Sequence, residues 1–199
     1  MSVISSVPHV LRETSHGVAC VSVYDEMLQH RELSLAGEVE PVGIHALCQH
    51  VRRLEALDST APITLFVDSP GGEVGSGLAL YDLLRSVSCP VRTVCLARAA
   101  SMGAVIFMAG DEREMSPHAE LMVHDPLIPT GAGGNALSVQ ETSRRLMATR
   151  KTLTTLLSER SGLSLARVRR LTAKDTYLSA ERALELGFAT TITPSRKER

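Results

Sequence analysis

Apolar residues recur along this chain in two alternating rhythms. Ile44, Leu47, Val51 and Leu54 repeat every three to four positions, which predicts a helix over Gly43 to Ala56. Ile63 to Val67 is a continuous β-favouring run that ends in Asp68-Ser69-Pro70-Gly71-Gly72, after which Val74, Leu78, Tyr81 and Leu84 fall on one helical face. Cys89-Pro90 breaks that helix, Val91 to Leu96 reads as a second buried strand, and Ala99 to Ala109 returns to a small-residue helical composition. Strands alternating with helices imply a mostly parallel sheet with right-handed crossovers, an α/β layered fold. In such sheets sites gather at the carboxyl ends of strands, where Asp68 to Gly72 and Arg98 to Ser101 both sit.

The flanks are less regular. Pro8 to Gly17 is irregular and polar, Val18 to Leu28 suits a short helix, and Glu32 to Ala36 a strand, so residues 1–18 read as an N-terminal arm whose positions 1–6 are compatible with a short removable leader. Beyond the central units, Leu121-Met122-Val123 is a short strand stopped by Asp125-Pro126, and Ile128 to Asn135 is a Gly- and Pro-containing loop. Val139, Leu146, Leu153 and Leu157 then mark a narrow stripe on a long helix, about 136–160, ending near Ser161-Gly162. So thin a stripe predicts a helix that leaves the globule and packs on another chain. Helices at Ser164 to Leu171 and Ser179 to Leu186 close a single domain over 19–193, and residues 194–199 read as a loose tail.

Composition narrows the function classes. Lys plus Arg number 21 against 22 for Asp plus Glu, a formal charge of −1, which offers no electrostatic footprint for nucleic acid or an anionic membrane. Aromatics are only 3% and Trp is absent, which removes the stacking platforms of a single-strand binder. Cys20, Cys48, Cys89 and Cys95 lack metal-type spacing, and no stretch reaches the roughly 18 apolar residues of a membrane span. A soluble, cytoplasmic protein with reduced thiols is the expectation.

Three residues could carry chemistry. Ser101, in Ala99-Ala100-Ser101-Met102-Gly103-Ala104, follows a strand and begins a helix, where free N–H groups and the helix dipole can hold a developing oxyanion. The same small residues would equally serve close helix packing. A serine nucleophile needs a neighbouring base, and His124, at a strand terminus, is the best candidate, although a hydrogen-bonded turn histidine fits its position too. Asp175, in Lys174-Asp175-Thr176, could orient that base or simply cap a turn. Gly71 and Gly72 permit either a tight turn or close approach to a substrate carbonyl. His45 and His50 point to different helix faces, and no metal site is expected.

Taken together, Asp68-Ser69-Pro70-Gly71-Gly72, Ala99-Ala100-Ser101-Met102-Gly103-Ala104, Met122-Val123-His124-Asp125-Pro126 and Asp175-Thr176-Tyr177-Leu178-Ser179-Ala180 closely resemble the ClpP family, the proteolytic subunit of the ATP-dependent Clp protease. The resemblance covers nearly the whole chain. It implies the ClpP/crotonase-like fold, with a parallel-sheet core, flanking helices and a protruding handle helix from Ala136, in a homo- or hetero-oligomer of stacked heptameric rings. It implies Ser101 as nucleophile, His124 as base, Asp175 as its orienting partner, and the N–H groups of Gly72 and Met102 as the oxyanion hole. Unfolded polypeptides, admitted to the chamber by an AAA+ unfoldase ATPase, would be held as an added strand by Gly71, Gly72 and the backbone near Pro126. No cofactor is implied.

The chain departs from the family pattern at several positions. Arg98 stands where Gln is usual, Asp125 replaces Gln after the histidine, and Lys174 stands where Arg is common. Asp125 would raise the basicity of His124 if the side chains met. Thr64 and Ser86 occupy places often aromatic in the family's ATPase-docking pocket, while Phe66 keeps one aromatic. Two other readings follow: an accessory subunit that works only within a paralogous ring, and a crotonase-type acyl-CoA enzyme sharing the core.

Overall fold

The computed structural model describes residues 8–15, 17–128 and 133–194. Its centre is a seven-stranded sheet of β3 (Glu32–Val39), β4 (Ile63–Gly72), β5 (Val91–Ala100), β6 (Glu112–Met115), β7 (Glu120–Val123), β8 (Thr176–Ser179) and β9 (Thr191–Ile192). The order is β3-β4-β5-β6-β9. Every pairing is parallel except that of β7 with β8. β5 is long enough to serve two partners on one edge: Arg92 to Cys95 pair with β6, and Arg98 to Ala100 with β7. The second partnership brings β7 to the end of β5.

Helices cover the sheet through the stripes that the sequence predicts. In α2 (Pro41–Leu57) the buried residues are Ile44, Leu47, Val51 and Leu54, the four positions of the period. In α3 (Val74–Ser86) burial centres on Gly77, Leu80, Tyr81 and Leu84, leaving Val74 and Leu78 half-buried at the margin. All six residues of α4 (Met102–Phe107) are buried, so this short helix is the hub of the core. Each large aliphatic side chain removed from water there contributes about 1.5–3 kcal/mol.

Several local expectations are corrected. The stretch Pro8 to Gly17 is not irregular: β1 (His9–Thr14) pairs antiparallel with β2 (Gly17–Ser22) as a hairpin, and α1 (Val23–Gln29) begins only where Ser22 caps the Asp25 amide. Residue 18, taken as the end of an arm, falls inside β2. Ala99 and Ala100 belong to β5 rather than to a helix, because pairing with β7 outweighs the helical preference of alanine. Positions 1–6 and 195–199 of the anticipated leader and tail, and 129–132 of the loop, lie outside the described residues.

The long helix α5 (Ala136–Ser161) starts at Asn135, whose side chain accepts from the Ser138 amide, and stops at Gly162 in the left-handed conformation that favours glycine. Its stripe divides in two. Leu153 and Leu157 are buried against the domain, Leu146 is half-buried, and Val139 is exposed like the rest of the first turn and a half. The helix thus protrudes as a handle. Its base is pinned by arginines: Arg160 donates to the carbonyls of Met108 and Gly110, and buried Arg113 donates to the Arg160 carbonyl as well as to those of Phe188, Gly110 and Gly187. Burial, with Arg160 and Arg85 nearby, lowers the Arg113 pKa to about 10. α6 (Leu165–Thr172) and α7 (Ala180–Glu185) complete the fold. Among the described residues no helix is long and apolar enough to cross a membrane.

Candidate active site

Ser101 occupies the single residue between β5 and α4, with φ 53° and ψ −120°, a conformation that side chains rarely adopt. Its backbone is fixed from both directions. Its amide donates to the Met122 carbonyl at 2.8 Å, and its carbonyl accepts from Ala104 and Val105 at 3.1 and 3.2 Å. Gly71, at φ +98°, lies directly beneath, and a Cβ there would fall 2.6 Å from the Ser101 Cβ. Small residues around Ser101 therefore do serve close packing, and that packing is what turns the hydroxyl outward.

His124 follows the last residue of β7, and Asp175 precedes the first residue of β8. The two strands are antiparallel with Val123 opposite Thr176, so the next position along the ladder sets His124 against Asp175. The imidazole Nε2 stands 2.8 Å from Ser101 Oγ, and its Nδ1 stands 3.4 Å from Asp175 Oδ1. The imidazole is largely shielded, with 13% of its side chain exposed, whereas the Asp175 side chain is 62% exposed. The three residues singled out in the sequence are thus gathered in one chain, with a tight serine–histidine contact and a longer, more exposed histidine–aspartate contact.

A cavity of about 920 Å³ opens over them, lined by Ser101, His124, Gly72, Met102 and Pro126 among others. Val74, Val105, Leu146 and Leu153 give it apolar walls, and Leu127 and Ile128 stand exposed at its edge. Gly72 has little freedom to change, because a Cβ would meet the Val39 carbonyl at 2.3 Å. Gly71 is buried beneath Ser101 rather than on the cavity surface. The Met102 amide belongs to the first residue of α4, where an N–H has no partner within its own helix.

Asp125 does not turn its carboxylate to the imidazole beside it. Oδ2 accepts from Arg150 Nε on the handle and Oδ1 from the Thr172 hydroxyl, each at 2.6 Å, and the Asp125 amide donates to the Thr172 carbonyl at 2.6 Å. Arg150 and Thr172 also line the cavity, and neither stood out in the sequence. The only signal was the acidic residue itself after the histidine. Arg98 is exposed on β5 opposite Glu120, and Lys174 is exposed beside Asp175. His45 meets Gln49 on the outside of α2, and among the described residues no group of three metal-ligating side chains is gathered.

A strained serine at a strand-to-helix junction, within hydrogen-bonding reach of a shielded imidazole that itself faces a carboxylate, is the arrangement of serine hydrolases that act by acyl transfer. Residues 15–196 match the Clp protease family. The ATP-dependent Clp protease proteolytic subunits of Streptococcus pneumoniae strains 70585 and Hungary19A-6 are each 36% identical to it over 184 residues, covering 92% of this chain and 94% of theirs. The chain belongs to the Clp protease family.

Proposed function

We propose that this chain is the serine endopeptidase subunit of an ATP-dependent Clp protease, with Ser101 as nucleophile, His124 as general base and Asp175 orienting the imidazole. The observation that carries this reading is the 2.8 Å contact between His124 Nε2 and Ser101 Oγ. His124 takes the Ser101 proton as Oγ attacks a peptide carbonyl, forming a tetrahedral intermediate. The amides of Gly72 and Met102 receive its oxyanion. His124 then gives the proton to the leaving amine, and water, activated by the same imidazole, releases the acyl chain. Asp175 favours the tautomer with a proton on Nδ1 and steadies the imidazolium. Gly72 and Pro126 border the substrate strand, with Gly71 supporting the serine from below.

An AAA+ ATPase is the proposed partner, feeding unfolded chains into stacked heptameric rings. Exposed Leu137, Val139 and Met147 on the protruding part of α5 support assembly through the handle. The four cysteines are free thiols, in keeping with a reducing compartment such as the cytoplasm. The accessory-subunit reading keeps a foothold because Thr64, where the family is often aromatic, shares a half-buried sheet face with Phe66 and Arg92. Family membership leaves the acyl-CoA reading without support.

Turnover of a fluorogenic peptide by the purified chain, with native mass spectrometry of the same sample, tests the proposal. Hydrolysis by a homogeneous double ring, abolished in Ser101→Ala, is expected. Equal hydrolysis by Ser101→Ala contradicts it, and activity confined to mixtures with a paralogue supports the accessory reading.

A further inference from the structure

The β7–β8 ladder ends at the Val123–Thr176 pair, one residue short of both His124 and Asp175. Beyond that pair the residues flanking the two strand ends carry the base and its partner, and the partner is largely exposed. Strand ends fray unless tied. Here the tie is Asp125, bound to Thr172 through both backbone and side chain and to Arg150 through Oδ2. Thr172 is buried and lies three residues before Asp175. The His124–Asp175 pair is thus bracketed by the ladder on one side and by the Asp125–Thr172 clamp on the other.

Arg150 adds a second direction to the clamp. It belongs to α5, which is seated in the domain by Leu153 and Leu157 and projects freely at its other end. Charge-assisted hydrogen bonds of this kind are the stronger and more directional ones, and both side chains are mostly shielded, at 27% and 30% exposed. A displacement of the handle therefore bears on the residue next to the base. Resting on the catalytic reading above, we infer that Asp125 is a positioning residue that ties His124 to the Asp175 segment and to the handle helix through Thr172 and Arg150.

The test compares the parent with Asp125→Ala, Asp125→Asn, Arg150→Gln, Arg150→Lys and the Asp125→Asn/Arg150→Gln pair. Each is assayed for kcat and KM on a fluorogenic peptide, with active serines counted by fluorophosphonate titration. Misplacing a base by a fraction of an ångström is expected to lower kcat per titrated serine by roughly 10- to 100-fold in Asp125→Ala, with KM little changed. Asp125→Asn keeps the shape and should fold where Ala does not, yet should fall in the same direction. Arg150→Gln should reproduce part of the loss and Arg150→Lys should restore it, because a single N–H is used. The pair should be no worse than Asp125→Asn alone, as expected of two members of one contact.

The inference is overturned if kcat per titrated serine stays at the parent value in Asp125→Asn and Arg150→Gln, including the case in which only the number of active serines falls. Labelling of the parent that persists in Ser101→Ala would instead remove the catalytic reading, and this inference with it.

Discussion

A β-carbon placed on Gly71 would stand 2.6 Å from the Ser101 β-carbon and 2.8 Å from the Ala100 carbonyl oxygen. A β-carbon cannot sit so close to another carbon or to a carbonyl oxygen, so Gly71→Ala must move the β5–α4 junction. The added strain of φ +98° works in the same direction. The variant should lose about 2–4 kcal/mol of stability and most of its peptide turnover. Urea denaturation and a peptide assay measure both.

Ser101 itself holds a positive φ that glycine would adopt freely. Ser101→Ala and Ser101→Gly should both be inactive, yet they should differ in stability. Glycine relieves a strain of about 1–3 kcal/mol, partly offset by its greater freedom when unfolded. Thermal unfolding should show Ser101→Gly to be the more stable of the two.

Much of this was readable in the sequence, and what was not has physical reasons. The stripe of α2 was visible because its four apolar positions all face the sheet. β6 was hidden because its sequence, Glu112-Arg113-Glu114-Met115, looks like surface, and the burial of Arg113 depends on carbonyls that only the fold brings to it, such as that of Phe188, 75 residues away. β8 is four residues long, and only its pairing with β7 sets Asp175 against His124, a juxtaposition that the intervening residues, 125–174, hide in the sequence. Asp125 showed as an acidic residue beside the histidine, but only the fold reveals that it faces Arg150 and Thr172.

The 3.4 Å contact and the exposure of Asp175 suggest a smaller contribution than that of the base. His124→Ala should lower kcat by up to about 10⁴-fold, whereas Asp175→Asn should cost about 10–10²-fold, with KM little altered in either. Steady-state kinetics on a short peptide separates the two.

Glu73 lines the cavity and makes the start of α3 sensitive to acid. Its carboxylate caps α3 by accepting from the Gly75 and Ser76 amides. Hydrogen bonds from the Ser76 hydroxyl, then from those amides, hold its pKa below the ordinary 4.5. A lowered carboxylate pKa stabilises the fold above the unfolded value and loses that contribution as pH falls through the folded one. Glu73→Ala should therefore be about 1 kcal/mol less stable than the parent at pH 7, with the difference narrowing below pH 4.5. Denaturation at pH 7 and at successively lower pH checks the sign.

Peptide cleavage by this chain rests on one hydroxyl and one ring nitrogen. Labelling the assembled protein with a fluorophosphonate, followed by peptide mapping, tests it most directly. One adduct is expected, on Ser101, formed far more slowly in His124→Ala and not at all in Ser101→Ala. An adduct on another residue, or labelling of Ser101 at the parent rate without His124, would contradict it.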